Sequence, residues 1–151
     1  MALALTSSAF EAGAEIPSKH TCDGADLAPA LSWSGAPSGT RSFALVMDDP
    51  DAPRGTWVHW VVVDLPRTAT ALPEGGALPE GARSGTNSWN RTGYGGPCPP
   101  SGRHRYFFKL YALDTALPQM GKPNKEQLES AMRGHILGEA QLMGTYQKKK
   151  G

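Results

Sequence analysis

Apolar runs bounded by turn residues alternate along the chain in a pattern typical of strands. Residues 41–47 and 56–64 are runs of mainly β-branched, aromatic and other apolar residues, each bounded by Pro or Gly. In residues 105–113, alternation places Tyr106 and Phe108 on one face and Phe107 and Lys109 on the other. These runs predict three central strands, the first two of them buried on both faces.

The flanking segments predict shorter elements. Residues 1–33 mix short apolar pieces with turn residues, which indicates short strands joined by turns. Residues 66–103 are rich in Pro and Gly and too long for an ordinary structureless connection, so a functional site is expected there. After Pro123, Asn124 can cap a helix. Apolar positions spaced by about four residues predict that this helix runs on through Leu128, Met132, Ile136, Ala140 and Met143.

Composition points to one all-β domain. The chain has 151 residues, of which 18 are Gly and 13 are Pro. So many turn residues leave few uninterrupted helical windows, which favours an all-β fold over a helix bundle or a doubly wound sheet. We predict a single domain over residues 1–147, followed by a solvated basic tail at 148–151.

Charge and hydropathy narrow the classes of partner and compartment. Fifteen Lys and Arg residues against fourteen Asp and Glu give a net charge of +1, which argues against a nucleic-acid binder. No segment approaches the length of a membrane span, and the N-terminus lacks the basic region of a signal peptide, so a cytoplasmic protein is expected. Cys22 and Cys98 show no metal-binding spacing, and we expect buried free thiols rather than a bond between them.

The first candidate for chemistry is the run Asp49-Pro50-Asp51-Ala52-Pro53. Two prolines restrict the backbone here, so the carboxylates of Asp49 and Asp51 are held in an extended turn at the end of a buried strand. Rigid carboxylates in such a place can orient a histidine or accept a ligand donor. The alternative is a solvated Asx-Pro turn without a function.

The second candidate is His59, which falls inside an apolar strand. Simple alternation places its ring on the same side as Trp57, Val61 and Val63, where it would be desolvated. A histidine in this setting is either a hydrogen-bonded core residue or part of a site.

The third candidate is the stiff segment from Gly95 to Tyr106, which carries Gly96, Pro97 and His104. Its backbone N–H groups lack an obvious sheet partner, and beside a histidine they could form a small anion site. His104 and Tyr106 share one face of the strand that follows. The alternatives are a Pro-rich hairpin or a polyproline segment bound by an aromatic groove.

Taken together, these motifs resemble the phosphatidylethanolamine-binding protein family, and in particular its bacterial and archaeal branch of Raf kinase inhibitor-like proteins. The resemblance rests on residues 49–53, on Gly55-x-x-x-His59-Trp60, and on the Gly-Pro segment that ends in His104-Arg105-Tyr106. Similar local sequences at 21–24, 31–33, 93–98 and 132–137 extend it across nearly the whole chain.

The resemblance implies a β-sandwich of two antiparallel sheets with a small anion-accepting pocket at one end. The residues it assigns to that pocket are Asp49, Asp51, Pro53, Trp57, His59, Gly96, Pro97, His104 and Tyr106. It implies neither a metal nor another cofactor. Prokaryotic relatives often pair, so a homodimer is plausible.

The sequence therefore favours a non-enzymatic binding or regulatory protein for a phosphate-bearing ligand, such as a phosphorylethanolamine-like group or a phosphorylated side chain. A carboxylate such as Asp49 on one ring nitrogen would fix a histidine tautomer, while Gly95–Gly96 N–H groups and the Tyr106 hydroxyl would donate to phosphate oxygens. A kinase or another protein is a possible partner. The alternatives are a hydrolase or phosphoryl-transfer enzyme, a scaffold, and a transition-metal site built from Asp49, Asp51, His59, His104 and Cys98.

Overall fold

Two antiparallel sheets form the protein, which a computed structural model describes over residues 2–148. The strands are β1 (Ala4–Thr6), β2 (Leu31–Ser34), β3 (Ser42–Asp49), β4 (Trp57–Pro66), β5 (Ala71–Leu72), β6 (Arg83–Ser84), β7 (Arg103–Leu113) and β8 (Ile136–Gln147), with a short 3₁₀ helix at Ser18–His20 and one α-helix, α1, at Lys125–Met132. The small sheet has the order β1-β2-β5 and the large sheet the order β6-β4-β3-β7-β8. The expected all-β sandwich is confirmed.

The main core lies between the two sheets. Side chains from β1, β2 and β5 pack against one face of the large sheet, to which β7 contributes Tyr106, Phe108 and Leu110. All three are fully buried, as the alternation along β7 predicts. The three central strands predicted from the sequence thus appear at the expected places, and every residue of β3 is buried.

The placement of His59 relative to Val61 and Val63 is different from the one predicted. Met47 pairs with Trp60 and Asp48 pairs with Val58, so His59 is an extra residue in β4 with no partner on β3. This β-bulge breaks the period of two. Val61 and Val63 pack on the outer face of the sheet, whereas the His59 ring lies 5.3 Å from the ring of Tyr106 on the inner side.

The C-terminal helix is shorter than predicted. It is capped as expected by Asn124, whose side chain accepts a hydrogen bond from the N–H of Gln127, but it ends at Met132. Gly134 then adopts a positive φ, and residues from Ile136 onward form β8. A spacing of four residues keeps side chains on one face of a strand as well as of a helix, so that pattern could not separate the two.

Helix α1 covers the outer face of the large sheet. Leu128 and Met132 pack there against a cluster that includes Val46 and Val61. Beside this contact lies Asp48, a carboxylate with 1% of its side chain exposed, within 3.1 Å of both Lys109 Nζ and Lys125 Nζ. Ion pairs with two lysines compensate the burial of this charge.

A disulfide joins Cys22 to Cys98, so the expectation of two buried free thiols is wrong. Both cysteines are also exposed rather than buried. The two segments meet through backbone pairing as well, because the N–H of Cys22 donates to the carbonyl of Pro97 over 3.1 Å. The separation of 76 residues contains no signal for this contact, which arises only when the Gly-Pro segment folds against the N-terminal part of the chain.

Two further expectations concern the termini and the membrane. Within residues 2–148, no helix is long and apolar enough to cross a membrane. Of the predicted basic tail, residues 149–151 lie outside the described part of the chain.

The disulfide should contribute measurably to stability, because it closes a long loop. Replacing both cysteines, as Cys22→Ala with Cys98→Ala, is expected to lower the free energy of unfolding by about 2–4 kcal/mol. Urea denaturation of the oxidised wild type and the double variant measures this difference. Equal midpoints and slopes would contradict the placement of the bond.

Candidate functional site

A cavity of about 300 Å³ opens at the end of the sandwich where β3 ends and β4 and β7 begin. Its lining consists of Asp49, Ala52, Pro53, Trp57, His59, Trp89, Cys98, Pro99, Pro100, His104 and Tyr106. Six of the nine residues assigned to a pocket by the resemblance are among them. The volume is at the small end of the range for ligand pockets, and most of the lining residues are apolar or aromatic.

The first polar element of the cavity is a pair formed by His104 and Asp49. His104 Nδ1 lies 2.7 Å from Asp49 Oδ2, and both side chains are nearly inaccessible to solvent. The other oxygen of Asp49 accepts the N–H of Asp51 over 2.8 Å, so the carboxylate is fixed by its own turn. A carboxylate can only accept here, so Nδ1 carries the proton and Nε2 is left for the cavity.

His59 is held in the same way by a different acceptor. Its Nδ1 donates to the carbonyl of Gly95 over 2.7 Å. In return, the N–H of Gly95 donates to the carbonyl of His59 over 3.0 Å. Burial lowers the pKa of His59 below its ordinary value of 6.5, although the Gly95 carbonyl and the carboxylate of Asp49 act in the opposite direction. The ring is therefore neutral at neutral pH, with an unprotonated Nε2.

Tyr106 lies between the two imidazoles. Its ring meets that of His59 edge-on and stacks against that of His104, at centroid distances of 5.3 and 6.4 Å. Burial raises the pKa of Tyr106, and the charges of Asp49 and Asp51 raise it further, so the hydroxyl stays protonated. The buried hydroxyl has no acceptor at normal hydrogen-bond distance, but the carboxylate of Asp49 is near enough to interact with it.

Three of the predicted pocket residues do not line the cavity. Asp51 forms a bidentate pair with the guanidinium of Arg105, at 2.9 and 2.8 Å, and also accepts the Arg105 N–H. This pairing lowers the pKa of Asp51 to about 2. Gly96 donates its N–H to Asp26 Oδ1, and the Pro97 carbonyl accepts from Cys22. The N–H groups of Gly95 and Gly96, expected to bind an anion, are thus both engaged within the protein.

Trp89 is the main cavity residue that the sequence analysis missed. Its indole meets the ring of His59 edge-on at 5.1 Å and that of Trp57 at 5.5 Å. A Cβ on Gly95 would overlap this indole, so glycine is required for Trp89 to pack flat on the loop. An aromatic residue within the Gly-rich segment was the available signal. Ala52, Cys98, Pro99 and Pro100 complete the wall and were also not assigned.

The described residues contain no cluster of side chains that would support a metal site. Among residues 2–148, no group of three or more His, Cys, Asp and Glu residues is placed to hold an ion. Cys98, one of the ligands considered, is bonded to Cys22 and offers no thiolate.

The chain is thus a two-sheet sandwich with a small cavity lined by two histidines at one end, and comparison with known proteins gives its family. Residues 6–147 match the sequence model of the phosphatidylethanolamine-binding proteins. The chain belongs to this family.

Relatives and structural neighbours agree with this assignment over nearly the full length. A UPF0098 protein of Methanothermobacter thermautotrophicus is 49% identical over 148 residues, covering 95% of this chain and 98% of the relative. The crystal structure of a phosphatidylethanolamine-binding protein homolog from Chlamydia trachomatis has a TM-score of 0.94 and 43% identity, covering 98% of this chain and 99% of that chain. YbcL of Escherichia coli, described as a member of the mammalian family, has a TM-score of 0.91 and 35% identity, covering 99% and 100%.

The burial of His59 should make stability depend on pH in a defined direction. Because its pKa is lower in the folded protein than in the unfolded chain, the unfolded chain takes up a proton first as the pH falls below 6.5. The free energy of unfolding should therefore decrease through this group as the pH falls from about 7.5 to about 5.5.

The variant His59→Asn isolates this contribution, because its amide can still donate to the Gly95 carbonyl but does not titrate. Denaturation at several pH values should give a shallower loss of stability for the variant than for the wild type. Parallel profiles would show that His59 is not desolvated. His135→Asn, at an exposed histidine paired with Asp114, is the control.

Proposed function

We propose that this protein is a non-enzymatic binding protein whose pocket receives a small phosphate-bearing anion, such as a phosphorylethanolamine-like group. The observation that carries the proposal is the shared arrangement of the two histidines. His59 and His104 each commit Nδ1 to an acceptor of the protein, at 2.7 Å in both cases. Both Nε2 atoms are thereby directed to one small cavity.

Donors around the cavity suit an oxyanion. When His104 is protonated, its pair with Asp49 compensates the charge, and Nε2–H becomes a donor. The Tyr106 hydroxyl, which has no acceptor at normal hydrogen-bond distance in the described chain but lies near Asp49, can supply a second donor. Hydrogen bonds from such groups to an anion are stronger than neutral ones, and more so where the surroundings exclude water.

Binding is favoured over catalysis by the lack of an activated nucleophile. Among the described residues that line the cavity there is no serine or threonine, and Cys98 is oxidised. Phosphoryl transfer would have to use a histidine itself as the acceptor. Because an enzyme of that kind would need the Asp49–His104 pair, a test of binding must also detect any chemical change of the ligand.

Titration with O-phosphorylethanolamine near pH 6.5 tests the proposal by NMR. The ring signals of His59 and His104 should shift saturably, and the ³¹P line should move without a new phosphorus signal over a day. His59→Ala and His104→Ala should each abolish the shifts, because each removes one of the two nitrogens that face the cavity.

His135→Ala is the matched control, since His135 pairs with Asp114 on the surface and should leave binding unchanged. Ring signals that do not respond in the wild type would reject a phosphate pocket. A growing signal of inorganic phosphate that depends on His104 would support the enzyme instead.

The two carboxylates of the Asp-Pro turn should differ sharply in their effect on affinity. In Asp49→Asn, the amide has a single oxygen, and if that oxygen accepts from the Asp51 N–H, its NH₂ group faces His104 Nδ1 and cannot accept from it. The affinity for the ligand should then fall at least about tenfold. Asp51→Asn disturbs only an exposed pair with Arg105 and should change affinity less than about threefold. Calorimetric titration of both variants with the same ligand measures this; equal losses would contradict the placement of Asp51 outside the cavity.

A further inference from the structure

The hydrogen bond from His59 to Gly95 fixes which part of the ring faces the cavity. A backbone carbonyl can only accept, so the proton of the neutral ring must be on Nδ1. Nε2 then presents a lone pair. The ring cannot exchange the two roles by rotation without leaving the Gly95 carbonyl unpaired in a nearly closed site, where His59 is 3% exposed.

The surroundings of His59 keep this acceptor in place. The rings of Trp89 and Tyr106 flank the imidazole edge-on, at centroid distances of 5.1 and 5.3 Å, and restrict its movement. The charged groups that act on it are the carboxylates of Asp49, Asp48 and Asp26, whose effect is smaller than that of burial. His104 and the protonated Tyr106 line the same cavity.

We propose that His59 is the specificity-determining residue of the pocket: it accepts a proton from the ligand and thereby selects a hydrogen phosphate monoester over a sulfate monoester. This inference rests on the proposed function of the same pocket. A hydrogen phosphate monoester carries one P–OH group and one negative charge, so it can donate to Nε2 of His59 while it accepts from His104 and Tyr106. A sulfate monoester has the same charge and shape but no proton, and its oxygens would face the lone pair of Nε2.

The selection is the same if the proton moves onto His59 in the complex. A phosphate dianion beside a protonated His59 contains the same number of protons as the monoanion beside the neutral ring. A sulfate monoester cannot bring this proton, so it must draw it from solution at the expense of protonating a buried imidazole. Selection therefore depends on the proton that the ligand carries.

O-phosphorylethanolamine and O-sulfoethanolamine form a matched pair of probes. At about pH 6, close to the second pKa of a phosphomonoester, a large fraction of the phosphate ligand carries the proton. Isothermal titration of the wild type should show the phosphate ester binding about 10- to 100-fold more tightly than the sulfate ester, the range expected for one hydrogen bond to a charged group. His59→Gln places an amide N–H near the position of Nε2 and should reduce this ratio at least about fivefold, whereas His135→Gln should leave it unchanged.

The outcomes are separable. Equal affinity of the wild type for the two esters overturns the role of His59 while leaving the anion pocket intact. Binding of neither ester rejects the pocket and this inference together. A ratio that persists in His59→Gln assigns the selection to another residue. If that variant does not fold, as judged by its circular dichroism, His59→Asn takes its place, because it keeps a donor to the Gly95 carbonyl but has no acceptor at the position of Nε2.

Discussion

One additional residue in β4 determines how the pocket is built. Without the bulge at His59, alternation would direct the imidazole to the outer face of the large sheet, where Val61 and Val63 pack near α1. The bulge turns the ring inward, and reciprocal hydrogen bonds with Gly95 hold both the backbone and Nδ1 in that position. A local irregularity that re-aims one side chain is a common use of bulges beside functional sites.

The remainder of the site is arranged around this ring by segments distant in sequence. The Asp-Pro turn after β3 fixes Asp49, which in turn orients His104 at the start of β7. The Gly-Pro segment forms the wall and is anchored to the N-terminal part of the chain by the disulfide and by Tyr94, whose hydroxyl donates to the His20 carbonyl. The polar residues of the site thus lie at the ends of β3, β4 and β7, and loops held by hydrogen bonds and the disulfide complete its wall.

The central strands could be predicted because hydrophobic periodicity is a local signal, and Asp49, His59, His104 and Tyr106 could be proposed from motifs on those strands. Features that depend on tertiary contacts could not be predicted from the sequence. The inward orientation of His59 depends on the bulge, and the role of Trp89 depends on its contact with Gly95. The bond from Cys98 to Cys22 depends on the approach of its loop to the N-terminal part of the chain. The spacing of Ile136 and Ala140 fits a helix and a strand equally, and only their pairing with β7 shows that they belong to a strand.

The proposed binding requires that both histidines present Nε2 to the cavity and that His59 does so as an acceptor. The ¹⁵N chemical shifts of the imidazoles in the ligand-free protein at about pH 7.5 measure this directly, because protonated and unprotonated ring nitrogens resonate far apart. We expect a neutral His59 with a protonated Nδ1 and an unprotonated Nε2. A His59 that carries its proton on Nε2, or on both nitrogens at this pH, would contradict this expectation.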